Sequence, residues 1–277
     1  RANGFMFGGQ AIGISVGAAL SGTLIAHHGL PTAMFALAAV VGTIVLVIVA
    51  VRERPGERLL PWSKGGISPV NLEKHVGAFL PILRHLLASM FKRPTLIILP
   101  ALFMVGAAYG LFVGLAPLLG VQLLGWGEDI YSSWSGQANM VAGIAGALVF
   151  GFMAERWGAR RMLFLAHLLT AAGAALLLLL AADWSVPAVL ITAIFVFTAL
   201  QTLQSVSLAA VAMRCCAPAV AATQFSLLMA SSNIGVSTAS ALLGTLDKAG
   251  GVPAMVVALI GTGVVGAGFA FAAKVGR

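Results

Sequence analysis

Long apolar runs dominate this chain, and the polar residues that break them arrive in short bursts. Eight segments, at roughly 4–26, 31–51, 94–123, 130–154, 160–182, 186–212, 220–246 and 252–273, are each long and apolar enough to cross about 30 Å of hydrocarbon as a helix. The pattern therefore predicts an all-α polytopic membrane protein. It also repeats itself. Ile12–Pro31 reads again as Ile234–Pro253 at an offset of 222, with ten of twenty positions identical, among them Gly22-Thr23-Leu24 against Gly244-Thr245-Leu246. Each copy is an apolar helix, a turn and a second apolar helix. Internal repeats of membrane helices are how many secondary transporters are built, with the solute site between the halves.

The polar bursts orient the spans. Of the 16 Lys and Arg residues, all but Lys248 fall on one side of the eight-span arrangement. The positive-inside rule makes that side cytoplasmic, and it holds both ends of the chain and the long loop 52–93. The loop opens with Arg52-Glu53-Arg54-Pro55-Gly56-Glu57-Arg58, a charged stop after the second span. Its end, Val76 to Lys92, places Phe79, Leu80, Leu83, Leu87, Met90 and Phe91 at near-helical spacing, with Arg84, Lys92 and Arg93 beside them. This predicts an amphipathic helix on the cytoplasmic membrane surface, or one that binds a partner, shortened or bent by Pro81.

Composition sharpens this. Apolar residues make up 60% of the chain and charged ones 9%, with a mean hydropathy of +1.02, so lipid is the solvent. The net charge of +8 sits between apolar runs and forms no basic face, which excludes nucleic acid as a partner. Cys215 and Cys216 are adjacent, a strained geometry for a disulfide, and two ligands do not make a zinc site. No metal or cofactor is expected.

The repeat serves as a ruler. Its copies are the first two and last two visible spans, with four spans (94–212) between them, so four further spans are expected ahead of Arg1. The expected whole is two six-helix halves, with this chain covering helices 5–12 of a longer protein. Residues 1–51 are then the last two helices of the first half, 52–93 the central loop, and 94–277 the second half. A piece of this kind is not expected to transport alone.

The stretch Gly151-Phe152-Met153-Ala154-Glu155-Arg156-Trp157-Gly158-Ala159-Arg160-Arg161 resembles the loop signature of the major facilitator superfamily, Gly-x3-Asp-Arg-x-Gly-x-Arg-Arg, with Glu155 in place of Asp. A carboxylate at a helix end can pair with cations or a helix N-terminus, Gly158 allows a tight turn, and Arg160 and Arg161 reach the headgroups. The resemblance implies a cytoplasmic gate made of Gly151, Glu155, Arg156, Gly158, Arg160 and Arg161; the residues alone also fit a plain positively charged hairpin. Within that superfamily, Ala221-Ala222-Thr223-Gln224-Phe225-Ser226-Leu227-Leu228 resembles a stretch of the AmpG-type muropeptide permeases, a group that also contains acetyl-CoA transporters. That resemblance implies proton-driven import of muropeptides across a bacterial inner membrane by a monomer.

Polar side chains in lipid are costly unless they meet a partner or a wet cavity. Thr198, Gln201, Thr202 and Ser205 lie at i, i+3, i+4 and i+7 on one helical face, with Gln204 and Ser207 beside them. Gln224 opens the next span, Ser133, Gln137 and Asn139 sit in the span from 130, Tyr109 lies at mid-depth in the span from 94, and Gln10 lies in the first. The candidate solute-binding set is Tyr109, Gln137, Gln201, Thr202, Ser205, Gln224 and Gln10. The alternative for the hydroxyls is helix packing and bonding to the i−4 carbonyl. Gln137 and Asn139 are about 200° apart on the helical wheel, so only one of them faces a cavity centre. Gly9, Gly13 and Gly17, with Gly136, Gly143 and Gly146, suggest close helix approach at the seam between the halves. Pro100 and Pro117 are candidate bends.

No Asp or Glu lies inside a span, so a coupling proton would need His167 or a group outside the visible helices. Paired intramembrane carboxylates, a Ser–His dyad and a metal cluster are all absent from the sequence pattern, which argues against a membrane enzyme. Three readings follow: a muropeptide carrier, a drug or small-metabolite exporter, and a sensor that kept the fold without transporting.

Overall fold

The computed structural model describes residues 2–51, 56, 65, 66 and 79–273, and among them every regular element is a helix. In chain order the α-helices are α1 (Ala2–Ala50), α2 (Phe79–Met90), α3 (Arg93–Leu124), α4 (Glu128–Ala145), α5 (Gly151–Trp157), α6 (Ala159–Leu179), α7 (Pro187–Cys215) and α8 (Ala221–Ala272), with short 3-10 turns at Ala181–Asp183 and Pro218–Val220. A single wide π-turn, Gly146–Phe150, joins α4 to α5. Most of the charged opening of the 52–93 loop and the stretch from Val76 to Ala78 lie outside the described residues.

Two helices are far too long for one crossing. At about 1.5 Å per residue, a straight helix of 49 or 52 residues would be more than twice as long as hydrocarbon is thick. Each is broken once. In α1 the break is Gly29, at φ 80° and ψ 165°; in α8 it is Gly250 and Gly251, the latter at φ 64° and ψ −151°. Gly29 and Gly251 are the same position of the sequence repeat, and Pro31 and Pro253 follow each by two residues. Both glycines adopt positive φ, which side chains with a Cβ avoid, and the prolines cannot donate a helical hydrogen bond. The repeated sequence thus encodes a repeated break, and the two long helices supply two spans each.

The chain divides into two compact units, residues 17–84 and residues 1–16 with 85–277. In the smaller unit the arm after Gly29 is strongly apolar, and Phe35, Leu46 and Ile48 are exposed as a lipid-facing helix requires. The described part of the α2 helix runs from Phe79 through Met90. Leu86 and Ser89 are buried while Leu80 and Leu87 remain exposed, so the helix is two-faced.

The larger unit is held by backbone-to-backbone contact. Along α3, Gly106, Gly110 and Gly114 stand four apart and meet α8. A Cβ at Gly110 would lie 2.7 Å from the carbonyl oxygen of Val236, one at Gly106 would strike the Ser232 carbonyl, and one at Gly235 would strike that of Phe103. Lipid tails are as apolar as leucine, so such close packing replaces the hydrophobic drive between helices. The N-terminal arm of α1 meets α4 the same way. Cβ atoms at Gly4 and Gly8 would lie 2.6 Å and 2.5 Å from the carbonyl oxygens of Gly146 and Gly143, and Ser15 donates to the Gly136 carbonyl at 2.5 Å. Among the described residues, a Cβ at Gly9 or Gly13 would meet no atom of another segment within 4 Å. The seam therefore runs along the helix face one residue away from the Gly9–Gly13 row.

Candidate functional site

A polar-lined cavity of about 270 Å³ in the larger unit sits among α1, α3, α4, α6 and α7. From α3 it takes Tyr109, Phe112 and Val113; from α7 it takes Phe197, Thr198, Gln201, Thr202 and Gln204. The α4 helix contributes Tyr131, Ser135 and Asn139, one stripe at steps of four. Phe112 and Phe197 stack with ring centroids 4.6 Å apart at 28°, which builds a flat aromatic wall. Among the described residues, no charged side chain lines this cavity.

Hydrogen bonds set what each polar group has left to offer. Thr202 Oγ1 donates to the Thr198 carbonyl at 3.0 Å, and Asn139 Nδ2 donates to the Ser135 carbonyl at 2.9 Å, leaving its amide oxygen. Gln204 Nε2 donates to Thr170 Oγ1 at 3.0 Å, a buried link between α7 and α6. Tyr109 is 41% exposed and Gln201 half-buried, so both can swing toward a solute. The result is a neutral chamber with amides and phenols at its edges and an aromatic face.

Three of the seven expected residues, Tyr109, Gln201 and Thr202, come together here. Gln137 is exposed and donates to Ser133 Oγ at 3.3 Å, away from the chamber. Its neighbour two positions on, Asn139, is the one that faces in, as the helical wheel allows for only one of the pair. Gln10 is exposed and Ser205 half-buried, and neither lines the cavity. Tyr131, Ser135 and Thr170 were not singled out from sequence. The i, i+4, i+8 spacing of Tyr131, Ser135 and Asn139 is the signal that marks the first two; Thr170 carries none.

The signature loop connects α5 to α6. Gly158 adopts φ 88° and ψ 129°, a sparsely populated region that costs a residue with a Cβ about 1–3 kcal/mol. Gly151 is buried, with its Cα 2.9 Å from where a Cβ on Gly4 would sit. Glu155 lines a small cavity of about 60 Å³ with Asn3 and Arg214. Arg160 Nη1 donates to the carbonyls of Phe271 at 3.2 Å and Ala273 at 2.8 Å, capping the end of α8. Arg156 and Arg161 are exposed. The loop thus brings together α6, the C-terminal end of α8, and the beginning of α1.

The sequence model of the Major Facilitator Superfamily matches residues 1–240. The chain belongs to that superfamily. No curated protein and no solved structure matches it. Major Facilitator Superfamily members are membrane transporters, and this chain accordingly has an all-helical multi-pass fold and handles small molecules within a bilayer.

One polar residue of this Major Facilitator Superfamily chain is wholly consumed by structure. Gln224 has no exposed surface; its Oε1 accepts from the Ala217 N–H at 2.8 Å, and its Nε2 donates to the Cys215 carbonyl at 3.1 Å and the Ser89 carbonyl at 3.5 Å. It ties the end of α7 and the end of α2 to the start of α8. Replacing Gln224 with leucine strands buried backbone groups, so we expect a loss of about 1–3 kcal/mol, read as a lower midpoint of thermal unfolding in detergent. The KM of whatever folded protein remains should be unchanged.

Proposed function

We propose that this chain carries a small polar solute by alternating access, binding it in the chamber between Tyr109, Gln201 and the Tyr131–Asn139 stripe. The observation that supports this best is the chamber itself: uncharged, with hydrogen-bonding groups at its edges and the Phe112–Phe197 wall on one side. Amides and hydroxyls serve sugar hydroxyls and peptide amides as both donors and acceptors, and a flat ring face suits a sugar's apolar side. An anhydromuropeptide combines both chemistries, as the Ala221–Leu228 stretch suggests, and import across a bacterial inner membrane, driven by protons, is the direction we assign. In this reading the protein acts as a monomer, both ends of the chain are cytoplasmic, and the Gly151–Arg161 loop latches the cytoplasmic gate.

Uptake of labelled anhydromuropeptide into vesicles carrying the full-length protein tests this. Saturable uptake that a protonophore abolishes is expected; no saturable uptake overturns the solute assignment. Efflux is the second reading, favoured by the apolar part of the lining, Ile14, Val113 and Ile194 beside the two phenylalanines. Extrusion of an amphipathic dye in place of muropeptide uptake would select it. Absence of any uptake by the wild-type protein, with a signalling defect in Gln201→Leu or Glu155→Gln, would instead point to a sensor.

A further inference from the structure

At one end of the bundle an amphipathic slot of about 320 Å³ opens between the first turns of α6 and the last turns of α8. Arg160 and Arg161 stand at the helix end; Phe164, Leu165, Ala270 and Phe271 line the slot toward the hydrocarbon. Leu165 is 40% exposed and Phe271 72%, so the lining is open to surrounding lipid. Its roof is built: Arg160, held by the Phe271 and Ala273 carbonyls, fixes one guanidinium above the apolar bed while Arg161 stays exposed beside it. The first turn of α6 follows Gly158, which supplies no side-chain cap, so its leading N–H groups add to the positive field. Glu155, close in sequence, lines a different cavity, and among the described residues no acidic side chain lines this one.

A cationic roof over an apolar bed at a membrane boundary matches one ligand chemistry, an acidic headgroup carried on an acyl chain. We infer that this slot holds one anionic phospholipid, its phosphate on Arg161 and the exposed edge of Arg160, and an acyl chain along Phe164, Leu165 and Phe271. Guanidinium takes phosphate oxygens through paired N–H donors, and basic pockets between helices favour acidic headgroups over neutral ones. The site is independent of the solute chamber.

The test is native mass spectrometry of the full-length protein exchanged from mixed phosphatidylglycerol and phosphatidylcholine, together with its unfolding midpoint in nanodiscs of each lipid. Wild-type protein should retain phosphatidylglycerol preferentially and unfold at a higher temperature in it. Arg161→Gln should lower that preference about fivefold, and Leu165→Ser should weaken retention without changing the headgroup preference. Arg156→Gln, outside the slot, should retain lipid as wild type does. Should Arg156→Gln and Arg161→Gln lose retention equally, the effect is diffuse surface charge and the site is overturned. Equal stabilisation by inorganic phosphate in phosphatidylcholine would overturn the lipid assignment.

Discussion

Replacing Gly106 with leucine is expected to abolish the folded larger unit. The α3–α8 contact has no room at this position, because even a Cβ would strike the Ser232 carbonyl, an atom of helical backbone that cannot turn aside as a side-chain tip can. Overpacking a core costs about 1–3 kcal/mol where side chains can shift, and more where they cannot. Here the two helices must separate, which also breaks the contacts at Gly110 and Gly235. Fluorescence-detected size-exclusion chromatography should show loss of the monodisperse peak for Gly106→Leu, and a reduced unfolding midpoint for Gly110→Ala. Gly261→Ala, where the new Cβ would meet no other segment of the described residues within 4 Å, should behave as wild type. A stable, monodisperse Gly106→Leu protein would refute the close α3–α8 packing.

Gln201→Leu is expected to reduce kcat/KM for transport about fivefold or more, with little loss of stability. Gln201 is half-buried at the chamber wall between Thr198 and Thr202, whose neighbouring hydroxyls include one already bonded back to its own helix. Its amide is therefore among the few groups in the chamber free to meet a solute. Losing one such bond to an otherwise buried polar partner costs about 1–3 kcal/mol, or roughly five- to 150-fold. Gln137→Leu provides the contrast, since Gln137 points away and bonds Ser133. Uptake measured in proteoliposomes decides between them: equal losses for both variants, or none for Gln201→Leu, would displace the chamber as the solute site.

These two predictions rest on different parts of the sequence signal. The glycines of α3 stand four apart in the sequence, and so do Gly9, Gly13 and Gly17. Spacing alone marks a helix face that can approach another closely; it does not say which of several such faces has a partner. Gly8 and Gly9 are adjacent, about 100° apart on the helix, and only the Gly4–Gly8 face meets α4. The polar residues divide in the same way. Gln201 and Gln224 are both glutamines in apolar helices, yet one borders a chamber and the other knits three helix ends together.

What the sequence by itself determined is the class of fold, the spans and the places where the long helices break. Those depend on local quantities: the length of an apolar run, a glycine able to adopt positive φ, a proline that cannot donate. Membership of the Major Facilitator Superfamily could likewise be read from the Gly151–Arg161 loop, because a tight turn with fixed charges is a local requirement. Which face of each helix meets protein and which meets lipid was decided only by the tertiary structure. In water, apolar periodicity separates core from solvent; in a bilayer both sides of a helix are apolar, and the stripe that distinguishes them fades. The chamber, the Gln224 knot and the glycine seams are all consequences of that second choice, made by close packing between helices distant in the chain.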